Sequence, residues 1–154
     1  MIIKIISIGS QPQKEINQLI DSYTQKVSAY SKVEWINLQL KLKDKNIKIK
    51  KELESQNILS KIDSNAFIVS LDEKGQTFSS VELSQQVEKI MLNHSNINFI
   101  IGGADGLDQG ILEKSNLVMS LSHLTLPHQL VKVFLIEQIY RSYSIINNLP
   151  YHRE

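Results

Sequence analysis

Short apolar runs alternate along this chain with longer segments in which apolar residues recur every three or four positions. The runs are rich in isoleucine, valine and leucine, which is typical of strands buried on both faces. They predict five strands, at residues 2–8, 33–38, 66–71, 97–101 and 117–121. Because helical segments separate them throughout, we expect an α/β fold: a mostly parallel sheet with helices on both faces.

Local signals mark several ends of these elements. Ser79 and Glu82 have the spacing of a capping box at a helix start. Asp108 is placed to cap a short helix, and Pro127 is suited to the first position of the longest helix. Residues 72–76, with the sequence DEKGQ, predict a turn after the third strand.

Length and composition narrow the class of protein. A chain of 154 residues, 42% hydrophobic and 21% charged, is expected to form one domain, residues 1–154. With no cysteine, it has no disulfide, thiol nucleophile or zinc–thiolate site. The apolar N-terminal run is too short for a signal peptide or a membrane span, so we expect a cytoplasmic protein with no membrane partner.

One segment carries a local excess of positive charge. The formal net charge of the chain is only +1, which argues against binding nucleic acid through overall positive potential. Residues 41–51, however, hold six lysines and one acid, Asp44. Such a run is often a solvated face, and the alternative is a contact with RNA phosphates.

Two loops near the C-terminal third are expected to border a cleft. One carries Gly102, Gly103 and Gly106 after the fourth strand, and the other covers residues 121–127 after the fifth. In an open parallel sheet, ligands bind outside the carboxyl ends of the strands. The glycine spacing fits neither the dinucleotide fingerprint nor a P-loop, so we expect no ligand held by its phosphates. A purely structural turn is the alternative.

The histidines and the C-terminal tail supply candidate chemistry. No pair of the four histidines has metal-ligand spacing with a nearby carboxylate, so no metal site is expected. His123 and His128 are expected to satisfy backbone groups. Tyr151, His152 and Arg153 place a stacking ring, a titratable ring and a cation side by side, which suits an RNA base and its phosphate. A solvated terminus is the alternative.

The long helix after Pro127 has two notable features. Glu137 and Arg141 are spaced for an i,i+4 ion pair. The alternative for Arg141 is that it faces a polyanionic substrate or the site of a partner. The helix also carries more apolar residues than one stripe needs, so part of it is expected to meet a second subunit.

Four motifs in the C-terminal part together resemble one family. They are IGGADGL at residues 101–107, LSHLTLPHQL at 121–130, EQIYR at 137–141 and PYH at 150–152. The combination closely resembles the RlmH family of ribosomal large-subunit RNA pseudouridine-N3 methyltransferases, minimal members of the SPOUT class. The likeness extends along the whole chain, including Gly9 after the first strand and Leu71 after the third.

The resemblance implies a C-terminal trefoil knot, a homodimer built on it, and S-adenosylmethionine (S-adenosyl-L-methionine) held in a bent form by loops of the knot. It implies methylation of N3 of a pseudouridine in 23S ribosomal RNA, on the assembled ribosome. Carried over by position, it assigns cofactor contacts, mainly through backbone atoms, to Leu71, Gly102, Gly103, Leu121, Ser122, His123, Leu124, Thr125 and Leu126.

The implied reaction needs alignment of nucleophile, methyl group and sulfur, and stabilisation of charge. The catalytic candidates are His152, Arg141 and Tyr151, and the RNA-binding candidates are these three with Arg153. His152 is suited to act as a base or to position the substrate. Arg141 would hold a phosphate or polarise a base carbonyl. Two other functions stay open: a related methyltransferase for another RNA, and a non-catalytic RNA- or ribosome-binding module.

Overall fold

The computed structural model describes residues 1–40 and 46–153, so the first part of the lysine-rich segment, residues 41–45, lies outside the described residues. Within these ranges five strands alternate with five helices. In chain order they are β1 (Ile2–Ile8), α1 (Lys14–Val27), β2 (Lys32–Leu38), α2 (Ile47–Leu59), β3 (Phe67–Thr77), α3 (Ser80–Asn93), β4 (Asn96–Ile101), α4 (Gln109–Lys114), β5 (Leu117–Ser120) and α5 (His128–Ile146).

The strands form one sheet in the order β2-β1-β4-β3-β5. Every neighbouring pair in that order is parallel, which confirms the predicted parallel sheet. Because parallel strands all run in the same direction, the carboxyl ends of β4, β3 and β5 lie side by side. That end of the sheet is where a ligand crevice is expected.

Alternate side chains of β1, an interior strand of the sheet, point into two separate cores. Ile3 and Ile5 pack into the larger core with residues of α1, α3 and α5. Ile6 and Ile8 pack into the smaller core with residues of α2 and α4. Ile5 and Ile6 are both fully buried, and each such side chain contributes about 1.5–3 kcal/mol to folding. The helices therefore cover both faces of the sheet, as predicted.

The third strand is longer than the sequence pattern indicated. Leu71 and Gln76 both pair with Met119 of β5, so residues 72–75 bulge out of the ladder. The prediction of a turn in this segment is wrong, because the chain returns to the same strand instead of leaving the sheet. Glycine is needed in the bulge, since a Cβ on Gly75 would lie 2.5 Å from the carbonyl carbon of Met119.

The predicted helix caps are confirmed. The Ser79 hydroxyl accepts the N–H of Glu82, and the Glu82 carboxylate accepts the N–H of Ser79 at 2.7 Å, which completes the capping box. The Asp108 carboxylate accepts the N–H of Gly110 at 3.0 Å. Side-chain caps of this kind are local, so the sequence alone identifies them.

The longest helix, α5, has 19 residues and packs against α1 and α3. It begins one residue later than the sequence suggested, because Pro127 takes the N-cap position. Helix ends commonly shift by a residue in this way. In the part of the chain that the structure describes, no helix combines the length and the apolar composition that crossing a membrane would need.

A Schellman motif ends α5 and turns the chain back on itself. The N–H of Leu149 donates to the carbonyl of Ser144 at 2.8 Å, and that of Asn148 donates to the carbonyl of Ile145 at 3.1 Å. Asn148 has a φ of 53°, in the left-handed region that asparagine tolerates better than most residues. The tail that follows therefore returns along α5.

Candidate functional site

A cavity of about 760 Å³ opens at the carboxyl ends of β4, β3 and β5. Three segments enclose it: the bulge of β3, the glycine loop at residues 102–107, and the loop at residues 121–126. The start of α5 closes one side, through His128 and Val131. Its volume lies in the usual range of small-molecule sites, about 300–1,000 Å³. The cleft expected between the two loops is therefore present.

The cavity brings together nearly all of the residues that the resemblance assigns to the cofactor. They are Leu71, Gly102, Gly103, Leu121, Ser122, Leu124, Thr125 and Leu126. His123 is exposed and is not part of the lining. Residues that are far apart in the sequence meet here because three neighbouring strands end at the same place.

The glycine loop is folded tightly on itself. The N–H of Gly106 donates to the carbonyl of Gly103 at 3.1 Å, and Gly106 has a left-handed φ of 76°. A Cβ on Gly102 would lie 2.9 Å from the carbonyl carbon of Gly106, and one on Gly103 would lie 3.1 Å from Cγ2 of Ile8. Both absent side chains would therefore meet protein atoms. The loop is therefore a tight structural turn, and it also lines the cavity, so a role in holding a ligand stays a prediction.

Charged groups of α2 border the cavity. The Nζ of Lys50 lies 3.2 Å from Oδ2 of Asp105, which connects α2 to the glycine loop, and Lys51 lines the cavity. Glu54 is only 5% exposed, and burial raises the pKa of its carboxyl group. The last lysines of the lysine-rich segment thus lie beside the cavity.

Two basic side chains, Lys132 and His128, lie one turn apart at the start of α5, and the sequence analysis did not identify Lys132. Lys132 is 1% exposed, and its Nζ donates to Oδ1 of Asn37 at 2.9 Å. Burial lowers the pKa of Lys132. Burial and the charge of Lys132 also lower the pKa of His128, whereas a hydrogen bond with the backbone of Ile8 raises it. The backbone partner of His128 is therefore in β1, and a lysine between valines of α5 was the available signal for this pair.

The catalytic candidates form a second cluster, between α5 and the tail. Oε1 of Glu137 accepts hydrogen bonds from the Tyr151 hydroxyl and from Nε of Arg141, both at 3.0 Å. The predicted ion pair between Glu137 and Arg141 is confirmed, and it raises the pKa of Arg141. Nη1 of Arg141 lies 3.2 Å from Nδ1 of His152. Burial raises the pKa of Tyr151.

Aromatic packing holds the tail in place. The Tyr151 ring lies 4.7 Å from the Tyr140 ring, edge to face, and 4.7 Å from the guanidinium of Arg141. Its hydroxyl lies 3.2 Å from that of Tyr23 on α1. Tyr151 and His152 are half-buried, so the alternative of a solvated terminus does not describe them. The next residue, Arg153, is exposed.

The two clusters are separate within one chain. Neither Arg141, Tyr151 nor His152 lines the cavity. Val131, which does, precedes Arg141 by ten residues, a distance of about 15 Å along a helix. The structure therefore groups the cofactor candidates and the catalytic candidates, but in two different places.

Apolar side chains are exposed around the first half of α5. Phe134 is 45% exposed and Leu124 is 76% exposed. Phe134 lines a second cavity of about 190 Å³ together with Phe78, Leu83 and Leu121, whereas Leu124 lines the larger cavity. Exposed apolar groups can form part of a contact with another molecule.

Comparisons with known proteins extend over the whole chain. The family described as predicted SPOUT methyltransferase matches residues 1–152. Ribosomal RNA large subunit methyltransferase H from Acholeplasma laidlawii is 40% identical over 154 residues, covering 99% of this chain and 100% of that protein. The protein of the same name from Finegoldia magna is 38% identical over 159 residues, with the same coverage. A solved structure of a probable methylase family protein from Haemophilus influenzae covers 99% of this chain and 70% of its own, with a TM-score of 0.57 at 11% identity, and shows the fold alone.

Proposed function

This chain belongs to the SPOUT methyltransferase family, and from that premise we propose that it transfers the methyl group of S-adenosylmethionine to N3 of a pseudouridine in 23S ribosomal RNA. The observation that carries the proposal is the cavity, which joins every assigned cofactor position except His123. The names of the relatives support an RNA of the large ribosomal subunit as the substrate. We place this reaction on the assembled ribosome, in the cytoplasm.

The residues around the cavity fit S-adenosylmethionine. Its walls include apolar side chains such as Leu71, Met119 and Leu126, which suit an adenine ring. The carboxylate of Asp72 also lines it and suits a sulfonium or an ammonium group, whereas that of Asp105 is paired with Lys50. The bound cofactor would supply an electrophilic methyl group, and the loops would hold it.

We propose that two copies of the chain share each active site. Within the tail cluster, Glu137 lies about 9 Å and Arg141 about 15 Å along α5 from Val131 at the cavity of the same chain. Phe134 and Leu124 offer an apolar surface through which a second copy can bind, and obligate interfaces are typically apolar. In such a homodimer the tail of one chain would reach the cavity of the other. The trefoil knot implied by the resemblance is part of this proposal.

The tail has a defined role in this scheme. The Tyr151 ring would stack on a base of the RNA, as aromatic side chains do in single-stranded RNA sites. Glu137 balances the charge of Arg141, so Arg141 holds the tail in place and is not free to bind a phosphate. Arg153, which is exposed, is the residue that would bind a phosphate.

Methyl transfer from radiolabelled S-adenosylmethionine tests the proposed function. Assembled ribosomes, isolated large-subunit RNA and transfer RNA would be offered separately, and the labelled nucleoside would be identified by mass spectrometry. We expect N3-methylated pseudouridine from ribosomes. Label only in transfer RNA would support the related enzyme with another substrate. Binding to ribosomes with no label in any RNA would support the non-catalytic module.

Mixed dimers test the shared site. One chain would carry Leu126→Arg, which fills its cavity, and the other would lack residues 151–154. If tails act on the partner's cavity, the mixed dimer regains one complete site and methylates RNA, although each homodimer is inactive. If tails act within their own chain, the mixed dimer has no complete site and stays inactive, which would refute the arrangement.

A further inference from the structure

The contact between Arg141 and His152 fixes where the histidine carries its proton. Nη1 of Arg141 lies 3.2 Å from Nδ1 of His152. A guanidinium has donors and no acceptor, so Nδ1 must be the acceptor in this hydrogen bond. A neutral imidazole has one proton, which then belongs to the other nitrogen. His152 is therefore held with Nε2 as an N–H donor.

Glu137 keeps Arg141 in the orientation that this contact requires. Its Oε1 accepts hydrogen bonds from both Nε and Nη2 of Arg141, and the two side chains are only 15% and 23% exposed. The same oxygen accepts the hydroxyl of Tyr151, whose ring lies against the guanidinium. With two of its nitrogens bound to one carboxylate, the guanidinium presents Nη1 to His152 in a fixed direction.

The other nitrogen of His152 has unused hydrogen-bonding capacity. Nε2 is buried and has no hydrogen-bond partner in the ranges 1–40 and 46–153. Buried polar groups in native proteins are nearly always paired, so an exception calls for an explanation, and a catalytic role is one of them. Among the described residues, Nε2 of His128 is unpaired in the same way. A ligand that brings an acceptor to Nε2 would satisfy this group.

We propose that Nε2–H of His152 donates a hydrogen bond to a carbonyl oxygen of the substrate base, and that Glu137 and Arg141 are positioning residues that fix this donor. The inference rests on the proposed function. N3 of a pseudouridine lies between two carbonyl groups, so the charge left when its proton departs spreads onto their oxygens. A fixed N–H at one of them stabilises that charge.

His152 is then a hydrogen-bond donor and not the base. Nε2 already carries a proton, and the lone pair of Nδ1 is engaged by Arg141. The N3 proton passes to solvent water, the N3 electron pair forms the new bond to the methyl carbon, and the electron pair of the methyl–sulfur bond stays on sulfur. This transfer involves no oxidation or reduction, and it needs no reactant besides the cofactor, the substrate base and water.

Nitrogen NMR tests the protonation form without any RNA or cofactor. The full chain labelled with ¹⁵N-histidine would be recorded in long-range proton–nitrogen correlations at mildly alkaline pH, with His152→Gln identifying the His152 signals. We expect an unprotonated Nδ1 and a protonated Nε2. Arg141→Leu should produce a mixture of tautomers, whereas the matched control Arg153→Leu should not. A protonated Nδ1 in the unsubstituted chain would overturn the inference.

Two substitutions of His152 separate the donor from the base in activity. Gln places an amide N–H near the position of Nε2 but cannot take up a proton, and Ala does neither. We expect His152→Ala to lose methylation by roughly 10²–10³-fold, the usual cost of removing one such donor, and His152→Gln to recover most of it. Equal losses in both would overturn the donor role. If the unsubstituted chain methylates no RNA, the proposed function fails, and the nitrogen spectrum alone decides the protonation form.

Discussion

A single methyl group added at Gly102 would test whether the glycine loop shapes the cofactor cavity. The new Cβ would lie 2.9 Å from the carbonyl carbon of Gly106 and 3.0 Å from Cγ of Leu107. Optimal carbon contacts are about 3.5–4.0 Å, so the loop must open by several tenths of an ångström. Because the closest atom belongs to the backbone, a rotamer change cannot relieve the contact. Overpacking of this kind costs about 1–3 kcal/mol.

That strain converts into a change of affinity. If a shifted loop becomes more favourable than the native loop by about 1–2 kcal/mol, the fraction of molecules with a competent cavity falls roughly 5- to 30-fold. The Kd for S-adenosylmethionine then rises by the same factor. Gly103→Ala should have a smaller effect, since its nearest atom is a side-chain methyl of Ile8, at 3.1 Å, which can move slightly.

Calorimetric titration with S-adenosylmethionine measures the Kd of each variant. Gly110→Ala is the matched control, because its Cβ would approach only the Asp108 carboxylate, at 3.1 Å, and alanine favours the helix. We expect the Kd to be highest for Gly102→Ala, lower for Gly103→Ala and unchanged for Gly110→Ala, with melting curves confirming that each protein is folded. Unchanged affinity in folded Gly102→Ala would refute the assignment of this loop to the cofactor.

Three further predictions concern the tail, the end of α5 and a buried carboxyl group of α2. Deleting residues 151–154 should leave the affinity for S-adenosylmethionine unchanged in calorimetry and abolish label transfer to ribosomes. It should also lower the free energy of unfolding, measured in urea, by about 1–2 kcal/mol because the contacts of Tyr151 are lost. Undiminished transfer would show that the tail is not catalytic. Asn148→Ala should lower stability by about 1–2 kcal/mol because its φ is 53°, while Asn148→Gly should not; equal melting temperatures would contradict this. Burial raises the pKa of Glu54, so its protonation stabilises the folded chain fully below the ordinary pKa of 4.5, and this contribution is lost as the pH rises. Glu54→Gln should therefore raise the melting temperature at neutral pH but leave it unchanged below pH 4.5. A lower melting temperature at neutral pH would contradict this.

The strands of the sheet were predictable because a parallel strand buried on both faces is a run of consecutive apolar residues. Runs such as residues 2–8 and 97–101 are apolar on both faces, and the caps at Ser79 and Asp108 are local interactions. The second half of β3 has no such apolar run. Its residues 72–77 are polar, and they belong to the sheet only because β5 lies alongside them, which depends on tertiary register.

The candidate site was predictable to a different extent in its two parts. Loops that follow strands indicate ligand residues in any parallel sheet, so the positions at Gly102 and Leu121 could be found. Helical spacing likewise identified the pair of Glu137 and Arg141. The contact of Tyr151 with Tyr23 could not be foreseen, because it depends on the packing of α1 against α5 and on the reversal at the end of α5.

The separation of the two clusters constrains how the enzyme can work. On the proposed function, the cofactor positions line one cavity, and Arg141, which orients the donor, lies about 15 Å along α5 from Val131 at the edge of that cavity. Folding completes each part independently: the cavity through the ends of β4, β3 and β5, and the donor through Glu137 and Arg141. On the arrangement proposed above, a second copy of the chain joins them by bringing its tail to the cavity. Cofactor binding and catalysis would then be separable, and only catalysis would depend on the partner.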